Sequence, residues 1–290
     1  MELDLDSGRL LVFLGGLLLF LLIETLAPAR PWRRGRWRRL GFHGVLAALN
    51  TVTVRMLIYV PLLLWAVWLE EQGWGLSRLL GLHAHTLLEI AVSVLVLDGL
   101  DYLWHRANHR VGPLWRLHKA HHADTEMDVS TALRFHPGEL LLSGLVKAGW
   151  LLLWGPSAVA WFVFEALVSL CAQFHHSNID FPDRVERPLS ALLVTPRYHA
   201  AHHAVDRRYG DANFATIFSF WDRLLRSYSA PAPGGATTRG ADALGLPEGR
   251  QHAFSFWQCL IEPARGRNLR LPGAEDASPP EPPIPDGELR

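Results

Sequence analysis

Apolar residues in this chain gather into long runs, separated by short breaks that are charged or carry proline. Residues 10–29, LLVFLGGLLLFLLIETLAPA, hold a single charge, Glu24, near their far end. About 20 apolar residues suffice to cross a bilayer core, so this run predicts a membrane helix. A cleaved signal peptide is the competing reading, with APA at 27–29 as its cleavage site. The preceding MELDLDSGR is acidic where such a peptide needs positive charge, so a retained anchor is expected. A second run, about 44–69, is interrupted by Arg55 and Pro61, and a third covers about 86–104. Residues 138–173 make two limbs joined by Gly-Pro-Ser at 155–157. Each limb of about 16 residues is roughly 24 Å long as a helix, short for a core of ~30 Å, which predicts a helical hairpin that enters and returns on one side. Lys147 and Glu165 lie nine residues either side of Pro156. An antiparallel hairpin sets them at one depth, where pairing lowers the cost of two buried charges.

The fold class that follows is an all-α integral membrane protein. It has about four to five membrane-embedded helices, the hairpin included, under a cytoplasmic cap of histidine-rich helices. Residues 1–89 hold the N-terminal helices and a basic loop, and 90–228 form the catalytic region. Residues 229–263 are a linker with a short amphipathic segment, FSFWQCLIEP at 254–263, that lies on the membrane or on the domain. The acidic, proline-rich residues 264–290 are expected to be disordered.

Charge sets the orientation. RPWRRGRWRR at 30–39 holds six arginines, and basic loops stay on the cytoplasmic side. The N-terminus then lies outside, residues 70–85 lie outside, and every histidine from His105 onward starts on the cytoplasmic side. Trp32 and Trp37 suit the headgroup layer, and Arg55, at intramembrane depth, should face protein or water. The formal net charge of zero gives no bulk electrostatic case for nucleic acid. With only Cys171 and Cys259, a disulfide framework and a cysteine-rich zinc module are both excluded.

Histidine is the unusual residue, 15 in all, most of them between His105 and His203. The stripe H-x-x-H-H occurs twice, as His118, His121 and His122 and again as His199, His202 and His203. Positions i, i+3 and i+4 share a helix face, so each stripe is expected to aim three imidazoles one way. His105 and His109 form an i, i+4 pair. His136 stands in LRFHPGE, and His175 and His176 are adjacent, about 100° apart on a helix, so one of the two is expected to join the others. Packed neutral and unbonded, so many imidazoles would be unsatisfied; packed charged, they would repel. Metal resolves both problems, since neutral imidazole is a common ligand. One zinc takes three or four protein ligands, and nine or ten candidates converge here, which suits two metals with open positions. Imidazole ligation alone fits iron, zinc, copper or nickel. Asp98 and Asp101, two turns and one turn before His105, are candidates to orient the imidazoles, as are Glu139, Asp180 and Asp222.

The order of H-x-x-x-H at 105–109, H-x-x-H-H at 118–122, RFHPGE, FHHSN, and TPRYHAAHH followed by NFATIFSFWDRLLRSY resembles the sterol desaturase and fatty acid hydroxylase superfamily over about residues 90–228. That resemblance implies a non-haem centre of two iron ions on the cytoplasmic side of the cell membrane, in a multi-pass protein. Such enzymes use O2 and two electrons to hydroxylate or desaturate a lipid substrate. It implies ligand roles for His105, His109, His118, His121, His122, His199, His202 and His203, and for His176 in the third cluster. His175 and His136 are left as metal or supporting residues. A separate electron-donor protein is expected, as no flavin, haem or dinucleotide motif is present. The alternatives are a desaturase using the same site and, from another class, a histidine-rich metal-binding or transport protein. Transport would set ionisable ligands at mid-membrane depth, whereas these lie at the cytoplasmic ends.

Overall fold

The computed structural model describes residues 2–32, 35–231, 235, 243–247, 253–261 and 263; of Glu2–Asp6, Val52–Met56, Arg207 and Gln258 only the backbone is described. The proline-rich tail and the side chain of Arg55 lie outside this set. Every named element is helical: α1 (Glu2–Leu26), α2 (Arg36–Val54), a π-helical turn (Arg55–Tyr59), α3 (Val60–Glu71), α4 (Leu76–Leu79), α5 (Leu87–Arg110), α6 (Gly112–His122), a 3₁₀ turn (Val129–Leu133), α7 (Pro137–Trp154), α8 (Ala158–His176), α9 (Asp183–Leu192), α10 (Pro196–His202), α11 (Arg207–Gly210), α12 (Phe220–Leu224) and α13 (Phe256–Ile261). Among the described residues there is no strand beyond two isolated bridges.

Helices α1 and α5 pack on α8, and α3 lies against α7 and α8. The core between them is apolar: Leu63, Ala66, Leu97, Leu151, Trp161 and Phe164 are buried together. The outside is apolar as well. Leu11, Leu18 and Leu22 of α1, Leu145 and Leu153 of α7, and Leu87 and Leu88 of α5 are exposed. Helices apolar on both faces belong in lipid.

By length and apolar composition two described helical stretches can cross a bilayer, Ser7–Leu26 and Ala158–His176. That is fewer than the four to five embedded helices the apolar runs predict. The second run is cut by the π-turn, leaving α3 only 12 residues. The third carries Glu89, Asp98 and Asp101 within α5. Helix α7 begins on a proline and holds Glu139 and Lys147 within its 18 residues.

The hairpin forms as its sequence dictates. Gly155 ends α7 in the left-handed conformation at φ 65°, where a Cβ would lie 1.9 Å from the Trp74 carbonyl oxygen. Glycine is therefore required there twice, for its dihedral and for the close approach. Ser157 then caps α8, accepting from the Ala160 amide at 3.1 Å. Lys147 Nζ donates to Glu165 Oε1 at 2.5 Å, with Arg9 joining the same carboxylate at 3.5 Å, so the charge pair placed at equal depth does form.

At the other end of the bundle, Glu24 closes α1 onto the loops that follow the histidine clusters. Its Oε2 accepts from the Val129 and Asn178 amides, both at 2.9 Å. Arg30 donates to the Met127 carbonyl, and Arg39 pairs with Asp124 at 3.2 Å. The basic segment and the histidines thus share one end of the molecule.

Candidate metal centre

Nine histidines meet at that end in two groups. One holds His105, His109, His118, His122 and His202; the other holds His121, His176, His199 and His203. Within each group one nitrogen from every ring lies within 4.8 Å of the rest. The groups abut, with His122 of the first stacked on His203 of the second at 4.3 Å between centroids.

Each H-x-x-H-H stripe is divided between the groups, which corrects the expectation of three rings aimed one way. Successive helical residues turn by 100°, so positions i+3 and i+4 diverge by that angle while i sits between them. On α6, His118 and His122 serve the first group and His121 the second. At α10 the division is reversed: His199 and His203 serve the second group and His202 the first. Helix α5 adds His105 and His109 to the first group, and α8 adds His176 to the second. Thr195 begins α10 by accepting from the Tyr198 amide at 3.2 Å, with Pro196 next, a common helix start.

The rings are oriented from behind. His105 Nδ1 reaches the Phe214 carbonyl at 2.7 Å and His202 Nδ1 the Ala212 carbonyl at 2.6 Å. In the second group, His121 Nδ1 reaches the Arg134 carbonyl at 3.1 Å and His176 Nδ1 the Ala172 carbonyl at 2.7 Å. A carbonyl only accepts, so each Nδ1 must carry the proton, leaving a bare lone pair on Nε2 of the neutral ring. Those lone pairs face each other: His105 and His202 Nε2 are 3.2 Å apart, and His121 and His176 Nε2 are 3.0 Å apart. No proton is available between them in the neutral rings, and two facing lone pairs repel.

Protonation does not resolve this. Burial, reinforced by neighbouring imidazoles, holds His121, His122, His199 and His203 well below the ordinary imidazole range and sets His202 at about 3. Further buried nitrogens lack any partner, among them both of His109, both of His203, and Nε2 of His118 and His122. A cation in each group would take up one nitrogen lone pair from every ring in it, the opposed Nε2 pairs included. Metal–imidazole bonds of about 2 Å put two ligand nitrogens at most ~4.2 Å apart, so a slight contraction of either group suffices. The donor set therefore fits one metal in each group.

Glu139 is the carboxylate that backs an imidazole, with Oε1 2.7 Å from His118 Nδ1. Asp98 and Asp101 do not touch one. Asp98 accepts from the Ile217 and Phe218 amides and from Trp221 Nε1, and Asp101 from the Thr216 hydroxyl at 2.8 Å. Together with Asp222, which accepts from the Phe214 and Ala215 amides, they hold the loop whose carbonyls orient His105 and His202. Asp180 pairs with Arg197. His136 is committed elsewhere: Nδ1 accepts from the Gly138 amide as the cap of α7, and Nε2 is 3.2 Å from the Leu260 carbonyl. His175 lies outside both groups, its ring centroid 4.0 Å from that of His199 and its Nδ1 unpartnered. The four backing carbonyls carry no side-chain signature and escape sequence reasoning. The Thr-Pro pair before YHAAHH was the legible sign of where α10 begins.

Residues 90–227, which contain all nine histidines, match the fatty acid hydroxylase family. An alkylglycerol monooxygenase of Caenorhabditis elegans is 30% identical over 46% of this chain and 25% of its own length. An ornithine lipid hydroxylase of Rhizobium tropici is 26% identical over 52% of this chain and 45% of its own. A cholesterol 25-hydroxylase-like protein of Danio rerio is 28% identical over 74% and 77%, respectively. The chain thus spans a quarter to under a half of the first two relatives, and no solved structure matches it. The match of residues 90–227, just under half of the chain, together with these relatives supports the sterol desaturase and fatty acid hydroxylase superfamily for that region.

Proposed function

We propose that this protein is a membrane-embedded, non-haem di-iron oxygenase that hydroxylates a lipid, using O2 and two electrons from a separate donor protein. The observation that carries this reading is the pair of opposed Nε2 lone pairs, one in each histidine group, buried and with no proton to share. Bound iron would supply O2 reduction and C–H oxidation, the chemistry that no side chain performs alone. His105, His109, His118, His122 and His202 would hold one ion, and His121, His176, His199 and His203 the other, with His175 in reserve beside His199.

The remaining tasks fall to the chain itself. Backing carbonyls and Glu139 fix the tautomers of His105, His118, His121, His176 and His202 and present their Nε2 inward. Trp115, Phe135 and Phe214 lie against His122, His121 and His105, and with the burial of the rings they exclude water from the centre. Helices α1, α5 and α8 provide apolar surface along which a lipid chain can lie with its target carbon at the histidines. The arginine-rich segment lies at the same end as the histidines, which supports the reading that this end faces the cytoplasm at the cell membrane. The α2–π-turn–α3 rod, α5 and the α7–α8 hairpin complete a multi-pass bundle in this reading.

Lipid mass spectrometry of cells expressing the protein or its His121→Ala variant tests the proposal. A lipid that gains one oxygen atom only with the unaltered protein is the expected result. A lipid losing two hydrogens would identify a desaturase instead, and no change in either despite bound iron would overturn the oxygenase reading.

A further inference from the structure

The four-histidine group is tied to a part of the chain that lies beyond the family region. Arg134 is fully buried, and three of its groups act at once. Its carbonyl accepts from His121 Nδ1, its Nε donates to the Ala120 carbonyl at 2.6 Å, and its Nη2 donates to the Ala253 carbonyl at 2.5 Å. The next residue, Phe135, stacks on the His121 imidazole at 4.6 Å with planes 6° apart, and its carbonyl accepts from Asn50 at 2.9 Å. His121 is thus fixed on its back edge and on one face by two consecutive residues.

Those two residues are themselves held from outside. Phe254 lies 5.6 Å from the Arg134 guanidinium on one side, as Phe42 does at 5.1 Å on another. His136 anchors the same segment again at the Leu260 carbonyl. His105, His118 and His202 are backed instead by Phe214, Glu139 and Ala212, none of them in this strap.

We propose that Arg134 and Phe135 are positioning residues through which the C-terminal strap Ala253–Ile261 sets His121, so that the strap controls metal affinity in the four-histidine group and not in the five-histidine group. A guanidinium is required because one planar fork must serve the Ala120 and Ala253 carbonyls together; an ammonium is a point donor that keeps the charge but not the span. The inference rests on the two-metal reading, and its test separates the two.

Full-length protein in lipid nanodiscs is loaded with iron and titrated with a chelator, with metal content read by mass spectrometry and folding by circular dichroism. Arg134→Lys and Phe254→Ala are expected to keep the helical spectrum and one tightly held ion, while the second is released about tenfold to a hundredfold more readily, the usual effect of losing a partner behind a ligand. Combining Arg134→Lys with His121→Ala should add no further loss, whereas combining it with His202→Ala should deplete both ions. Equal loosening of both ions, or of neither, overturns the proposal. Where Arg134→Lys fails to fold, Phe135→Leu removes only the ring contact and carries the same two outcomes. An unaltered protein that binds fewer than two ions overturns the underlying two-metal reading instead.

Discussion

The two histidine groups draw on the same two stripes yet are built differently. The five-histidine group rests on α5, α6 and α10 and is backed by a loop that Asp98, Asp101 and Asp222 hold in place. The four-histidine group rests on α6, α8 and α10 and is backed by Arg134 and by a carbonyl within α8 itself. One stands on the family region alone, while the other also leans on a strap outside it. The difference teaches that a repeated motif does not mean a repeated site: α6 and α10 each feed both groups, in opposite proportion.

The largest expected effect tests whether both groups serve one reaction. His202→Ala and His121→Ala, one from each group, should each abolish product formation, because neither centre works alone. Retained turnover in either variant, measured by lipid mass spectrometry, would reduce that group to a structural role.

Acid sharpens the comparison next. His121, His122, His199, His202 and His203 have an ordinary value of 6.5 when unfolded and a depressed one when folded. Below that value the unfolded chain takes up protons that the native one refuses, so stability falls as pH falls. Each such group contributes about 1.4 kcal/mol of loss per pH unit. Chelator-treated protein should therefore denature far more easily at acid pH than at neutral pH. Bound metal should suppress the difference at moderate acidity, and a pH-independent denaturation midpoint would show that the rings are not buried together.

Glu139→Gln should weaken metal binding by about tenfold to a hundredfold in the five-histidine group only, as Glu139 backs His118 and no ring of the other group. Chelator competition checks this, and equal weakening of both ions would dissolve the distinction. Thr195→Ala should cost about 1 kcal/mol through its lost cap and disturb both groups alike, because α10 feeds each. Denaturant titration reads the first effect and metal release the second.

Much of this centre was legible in the sequence because histidines at i, i+3 and i+4 can be placed on a helix without coordinates. The hairpin was legible for a similar reason, since Gly155 and the spacing of Lys147 and Glu165 about Pro156 fix its geometry locally. The division of each stripe was not, because a 100° arc of rings can serve one centre or two depending on what faces it. Asp98 and Asp101 were misplaced for a related reason: spacing along α5 gives a residue's depth, but its partner across the bundle, here the Thr216–Trp221 segment, is a tertiary matter. The π-turn at Arg55–Tyr59, which leaves α3 only 12 residues, carries no mark in the apolar runs.

The central claim is that one chain cages two metal ions in adjacent, unequal groups. Iron content per polypeptide, measured on protein purified in lipid nanodiscs with His202→Ala and His121→Ala beside it, tests this most directly. Two ions in the unaltered protein and one in each variant is the predicted result. One ion or none in the unaltered protein would contradict the account.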